Sequence, residues 1–135
     1  MNNCGRGMSP HPKFIFDEMS DKDRVIQEKS FEFAVRIVRL YNHFKKNDEQ
    51  PIYVQLLRSG TSIGANIAEA QYASSLPDFV NKLQIALKEA HETNYWLKLL
   101  YRCDILKENE YDSISKDCDE IMRLLTAIIN TSKKD

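Results

Sequence analysis

The sequence predicts an all-α fold, arranged as an antiparallel up-down-up-down four-helix bundle. Only four Gly and four Pro interrupt the 135 residues, which favours a few long helices over many short strands. Four segments carry apolar residues at spacings of three, four and seven, the pattern of a helix with one buried face. The connections between these segments are short, and short connections force successive helices to run antiparallel.

Each helix has a recognisable start or end in the sequence. The first spans about residues 20 to 46 and is broken by "KKNDEQP". Pro51 fits the first turn of the second helix, because its missing N–H costs nothing there. That helix extends to about Ala73, and "SSLPDF" then supplies a stop and a restart for the third. The fourth helix follows "CDILKENE" and includes Tyr111 near its start.

The length fits one compact domain with one core. We expect residues 1–19 to form a flexible N-terminal extension, 20–131 the bundle, and 132–135 a frayed C-terminus. No stretch approaches the roughly 20 apolar residues that a membrane span requires, and the N-terminus lacks the apolar run of a signal peptide. The expected location is therefore cytoplasmic, with no membrane partner.

The stretch "RSGTSIGANIAEA" lies in the second helix and contains two glycines. It lacks the Lys-Ser or Lys-Thr of a phosphate-binding P-loop and the G-x-G-x-x-G of a dinucleotide loop. At helical spacing, Gly60, Gly64 and Ala68 instead line up as a groove without large side chains. These three residues are the predicted contact for helix or subunit packing.

The same helix is short of charge, since only Arg58 and Glu69 are charged in it. A helix on a bundle surface normally carries charged residues on every turn of its exposed face. We therefore expect it to be shielded from water on more than its core side, with a neighbouring subunit covering the rest. Its polar positions would join carboxylates of the third helix in a buried polar network, in which Arg58 is the counter-charge. The members of this network are Arg58, Ser62, Asn66, Glu69, Glu89 and Glu92.

The sequence favours a protein without catalytic or metal chemistry. A di-iron bundle needs Glu-x-x-His motifs, but Lys88 stands three residues before His91, and the other two histidines lack the glutamate as well. Cys103 and Cys118 have no histidine at a suggestive local position, and nothing resembles G-x-S-x-G. We expect no metal and no cofactor. An enzyme with a site shared between subunits remains an alternative.

Charge is distributed unevenly along a chain whose formal net charge is −1. The first helix is basic and the fourth is acidic. A basic stripe on the first helix suits a nucleic-acid backbone or an acidic partner. The alternative is a solvated face that pairs with the acidic fourth helix of the same or a neighbouring subunit. The basic stripe consists of Lys22, Lys29, Arg36, Arg39 and Lys46.

Four segments together carry a resemblance to a known family. In chain order they are "KSFEFAVRIVRLY", "QLLRSGTSIGANIAEAQ", "DFVNKLQIALKEAHETNYWLKLL" and "IMRLLTAII". They resemble the bacterial four-helix bundle proteins that include the 23S ribosomal RNA intervening-sequence proteins and, more distantly, the accessory protein of diversity-generating retroelements. The second-helix motif commonly ends Ala-Glu-Gly in that family, whereas Ala70 follows Glu69 here.

The resemblance implies a four-helix bundle that assembles into a ring-like homopentamer and has no catalytic residues. In the retroelement relatives it implies a basic surface that engages a reverse transcriptase and nucleic acid. The expected function is a non-enzymatic oligomeric binding or scaffold module, with RNA, DNA or a nucleic-acid-handling protein as partner. The alternative is a protein-protein adaptor that does not bind nucleic acid.

Overall fold

The fold is all-α, as predicted, and consists of four helices in the described part of the chain. The structure, a computed structural model, describes residues 20–133. The predicted extension at residues 1–19 lies outside this range. The helices are α1 (Ser20–Asn47), α2 (Pro51–Ala70), α3 (Leu76–Arg102) and α4 (Glu108–Lys133). Compared with the prediction, α2 ends three residues early, and α4 continues two residues beyond the boundary at 131.

The three connections are fixed by local hydrogen bonds and backbone geometry. Pro51 occupies the first turn of α2. At the start of α3, the Ser75 hydroxyl accepts a hydrogen bond from the backbone N–H of Asp78 at 3.2 Å, which caps the helix. At the end of α3, Asp104 adopts a left-handed φ of 63°, and the next N–H donates back to the carbonyl of Leu100 at 3.0 Å. These local interactions explain why the helices begin and end close to the residues predicted from the sequence.

The helices pack as a closed four-membered bundle. Each contacts its neighbours in sequence, and α1 contacts α4 to close the ring of helices, this being the least extensive of the four contacts. The apolar positions at helical spacing form one core, in which a fully buried leucine or isoleucine contributes about 1.5–3 kcal/mol. The largest fully buried side chains are Ile26, Ile37, Leu56, Ile63, Ile67, Phe79, Leu83, Leu97, Leu100, Leu106, Ile114 and Ile121. Among residues 20–133, no helix is long and apolar enough to cross a bilayer.

Candidate functional site

The basic stripe lies along the side of α1 that faces α4, and α4 neutralises its middle. Lys29 Nζ lies 3.2 Å from Glu120 Oε1, and Arg36 Nη1 lies 2.8 Å from Asp117 Oδ2. Arg36 also donates through Nη2 to the Ser113 hydroxyl at 2.8 Å. For the other three members, Lys22, Arg39 and Lys46, no described carboxylate lies within ion-pair distance. The stripe is therefore only partly available to an external anion.

A groove of about 550 Å³ runs between α1 and α4 beside these ion pairs. Its charged lining consists of three cations, Lys29, Arg36 and Arg39, and four carboxylates, Glu28, Glu32, Asp117 and Glu120. A phosphate entering this groove would therefore meet more negative than positive groups. The groove does not have the uniform positive charge that favours a nucleic-acid backbone.

Arg58 joins α2 to α3 through two carboxylates. Its guanidinium donates to Glu89 Oε1 at 3.2 Å and to Glu92 Oε2. The indole N–H of Trp96 donates to the same Glu92 oxygen at 3.0 Å. The hydrogen bond from Arg58, followed by that from Trp96, lowers the pKa of Glu92 below its ordinary value. The arrangement is a charge clamp across the α2–α3 contact, and both of its carboxylates were expected from the sequence.

The prediction of a buried network that includes Glu69 requires correction. In the single chain the Arg58 side chain is 45% exposed, because the α2–α3 contact reaches the bundle surface at this point. Glu69 lies about three turns further along α2 and pairs with Lys82 at 2.7 Å. Ser62 and Asn66 bond locally, the first to the carbonyl of Arg58 and the second to the carbonyl of Ser62. Arg58, Glu89 and Glu92 therefore form one cluster at the surface of the single chain, and Glu69 lies outside it.

Gly60 and Gly64 pack against α1 of the same chain. A Cβ at Gly60 would lie 2.8 Å from Cγ1 of Ile37, and one at Gly64 would lie 3.2 Å from the backbone oxygen of Ser30. Ala68 is exposed and lines a groove between α1 and α2 of about 780 Å³. The predicted small-residue stripe therefore brings two helices of one chain together and forms the floor of an open groove.

The α1–α2 groove is part of an exposed surface that the sequence analysis did not identify. Phe31 is 66% exposed beside it, and Val54 is 52% exposed. We call this surface the apolar face. It comprises the groove residues Phe31, Ala34, Thr61, Ala65 and Ala68 and the exposed Val38 of α1 and Val54 of α2, and the carboxylates of Glu28 and Glu32 line the same groove. Its signal in the sequence was the recurrence of uncharged residues at positions 31, 34 and 38, outside the core stripe of the same helix.

The described cysteines differ in environment. Burial, together with the neighbouring carboxylates of Asp119 and Asp117, raises the pKa of the Cys118 thiol to about 12. Its Sγ lies 3.4 Å from the carbonyl of Ala90 in the core. A thiol with that pKa stays protonated at neutral pH and is a poor nucleophile. Cys103 is exposed at the end of α3. Among residues 20–133, no group of three His, Cys, Asp or Glu side chains could hold a metal ion.

Comparison with known proteins agrees with the fold. Among curated proteins, none matches the chain. A crystal structure of a protein of unknown function from the S23 ribosomal protein family of Bacteroides thetaiotaomicron is 53% identical. The match covers 81% of this chain and 98% of that one, with a TM-score of 0.78. The sequence model of the 23S rRNA-intervening sequence protein family matches residues 22–127. The chain therefore belongs to the 23S rRNA-intervening sequence protein family.

Proposed function

We propose that the protein is a non-enzymatic, homo-oligomeric binding or scaffold module of the cytoplasm, with nucleic acid or a ribonucleoprotein as partner. The observation that supports self-association is the apolar face, and the nucleic-acid partner follows from the family resemblance. A pentamer is the assembly that the family resemblance implies. The proposal of no catalysis is supported by the protonated Cys118 thiol, and the two grooves described between the helices are open to solvent.

The composition of the apolar face supports self-association. An exposed phenylalanine beside a groove floored by Gly64 and Ala68 is costly in water, and contiguous exposed apolar surface marks an interaction site. The two charged residues of α2 already have partners within the chain, because Arg58 and Glu69 pair with residues of α3. Glu28 and Glu32 line the α1 side of the same groove, so a second copy that covers the apolar face must leave these carboxylates in contact with water or supply cations to them.

A protein-protein adaptor remains the second candidate, and the α1–α4 groove favours it. The ion pairs of Lys29 and Arg36 reduce the positive charge of the basic stripe, and the formal net charge is −1. An adaptor that docks through apolar contacts would bind its partner with little dependence on salt, whereas phosphate contacts weaken steeply as salt rises.

Self-association is tested by multi-angle light scattering at micromolar concentration. We expect the wild-type chain to have about five times the 15.7 kDa mass of one chain. Phe31→Glu places a charge in the apolar face and should yield monomers that keep their helical circular dichroism spectrum. Val25→Glu is the matched control on α1, because Val25 is also exposed, at 38%, but lies outside the apolar face. A monomeric wild type, or equal effects of the two substitutions, would refute self-association through this face.

A further inference from the structure

The solvent-exposed side of α3 carries a row of three cationic side chains, one histidine and one aromatic ring. Its members recur at spacings of three and four, so they share one side of the helix, and all are exposed. Tyr95 is 60% exposed. We call this row the α3 basic face, and it consists of Lys88, His91, Tyr95, Lys98 and Arg102.

No carboxylate interrupts the α3 basic face, because the acidic residues of α3 are engaged elsewhere. Arg58 of α2 holds Glu89 and Glu92 on the side of α3 that faces α2. Asp78 lies in the first turn, where its carboxylate accepts from the backbone N–H of Ser74 at 3.1 Å. Among the described residues, no ion pair is formed by Lys88, Lys98 or Arg102.

This situation is the reverse of that on α1. There, α4 supplies Asp117 and Glu120 to two members of the basic stripe. On α3, the neighbouring helix α2 supplies one cation, Arg58, which holds both nearby carboxylates and offsets half of their charge. The α3 basic face therefore keeps its charge although the net charge of the chain is −1.

We infer that the α3 basic face binds a single-stranded nucleic acid, with phosphates on Lys88, Lys98 and Arg102 and an unpaired base stacked on Tyr95. The inference rests on the proposed function and gives the partner a chemical class and a site. From Lys88 to Arg102 the helix rises about 21 Å, enough for several successive phosphates. The Tyr95 ring packs edge-on against Trp96, with centroids 5.0 Å apart, which holds it at the surface.

An exposed ring within a row of cations favours a single strand over a duplex. Bases stack on aromatic side chains only when they are not already stacked within a helix, and a groove or row of cations follows the backbone. An acidic protein segment would satisfy the lysines but would leave the tyrosine without a function. The α3 basic face shares no residue with the apolar face, whose members lie on α1 and α2.

The first test compares charge reversals on two helices by fluorescence anisotropy. The probes are a 20-nucleotide oligo-U, a 20-nucleotide oligo-dT and a 20-base-pair duplex, between about 50 and 200 mM salt. Lys88→Glu with Lys98→Glu removes two proposed phosphate contacts. It should weaken single-strand binding at least roughly tenfold at low salt and reduce the salt slope by about 1.4. If the charge-reversed pair folds poorly, the neutral pair Lys88→Gln with Lys98→Gln replaces it. This pair should also weaken single-strand binding and reduce the salt slope.

The matched control reverses two α1 cations, Arg39→Glu with Lys46→Glu, which changes the net charge equally. We expect binding within about twofold of wild type. An equal loss in both pairs, or a loss in the α1 pair alone, would overturn the assignment to α3 while leaving the proposed function intact. Absence of wild-type binding to all three probes would overturn the inference, and light scattering would still report self-association separately.

The second test isolates the ring. Tyr95→Leu should weaken single-strand binding roughly tenfold with an unchanged salt slope, whereas Tyr95→Phe, which keeps the ring, should bind as wild type does. We expect the duplex to bind more weakly than either single strand. If duplex and single strands bind equally and Tyr95→Leu has no effect, base stacking on this residue is wrong.

Discussion

Helix α1 contacts its two neighbours by different physical means. Against α2, the contact is steric and close, with Gly60 beneath the Ile37 side chain and Gly64 beneath the backbone of Ser30. Against α4, the surface contact includes two half-exposed ion pairs and the hydrogen bond from Arg36 to Ser113, beside a groove of about 550 Å³. One helix thus has a tight contact on one side and a polar, loosely filled contact on the other.

The difference shows that close packing and charge pairing play unequal roles in this bundle. Losing or overfilling a packed contact costs several kcal/mol, whereas an exposed ion pair contributes about 0–1 kcal/mol. The α1–α2 contact should therefore determine stability. The α1–α4 contact mainly determines which charges remain available at the surface.

The largest expected effect comes from filling the α1–α2 contact. In Gly60→Leu the first added carbon already collides with Ile37, which is branched at Cβ and fully buried. We expect a net loss of about 2 kcal/mol in the free energy of unfolding, even though leucine is favoured over glycine in a helix by about 1 kcal/mol. The loss in the free energy of unfolding is measured by urea unfolding at a fixed protein concentration.

Two further variants show whether the collision is the cause. Gly64→Ala meets Ser30 at 3.2 Å, so its strain should roughly cancel its gain in helix propensity. In the double variant Gly60→Leu with Ile37→Ala, the second change makes room for the first, and the loss should be smaller than the sum of the single losses. Additive losses would indicate that Gly60 is not limited by Ile37.

A smaller effect on the free energy of unfolding is expected from the titration of Asp23. This residue lies at the same α1–α2 contact and is only 3% exposed. Gln27 and Gln71 donate to its two carboxylate oxygens at 2.9 and 3.1 Å. Burial raises its pKa above the ordinary value, because desolvation outweighs these hydrogen bonds and the charge of Arg24. The folded state then binds this proton more tightly than the unfolded state, so its contribution favours folding most at low pH and is lost as pH rises above about 4.

The corresponding measurement is the difference in the free energy of unfolding between wild type and Asp23→Asn, taken from about pH 3.5 to pH 6.5. This difference should change in favour of the variant as pH rises, since asparagine does not ionise. Other carboxylates titrate in both proteins and cancel in the difference. A difference that changes in favour of wild type would mean that the hydrogen bonds dominate over burial.

The four-helix bundle could be predicted from the sequence because the signals that start and end each helix are local. Pro51, the Ser75 cap and the spacing of the core residues each act within a few positions, and the structure places them as expected. The end of α2 was misplaced by three residues because Ala73 is buried but not helical. A buried apolar residue just beyond a helix end continues the apolar periodicity, so the pattern alone does not show at which residue the helix ends.

The surfaces were predicted less completely, because they depend on which helices become neighbours. Arg58 was assigned three possible carboxylates, and only the packing of α2 on α3 selects Glu89 and Glu92 and leaves Glu69 to Lys82. The pairing between α1 and α4 was one of two alternatives until their contact was known. Pairing between distant segments leaves no local periodic signal in a single sequence.

The smallest effect we predict concerns the ion pair between Arg36 and Asp117. Their side chains are 38% and 49% exposed, so water and salt screen the charges and their coupling should be about 0.5 kcal/mol. A double-mutant cycle with Arg36→Met and Asp117→Asn measures this coupling, and it should fall further at 1 M salt, where charges are screened within about 3 Å. The same variants show what the pair does for binding. Because the proposed single-strand site lies on α3, Asp117→Asn should leave single-strand binding within about twofold of wild type and stability nearly unchanged. A coupling above about 2 kcal/mol would mean that the α1–α4 contact is as important to folding as the α1–α2 contact, and the contrast between the two sides of α1 would not hold.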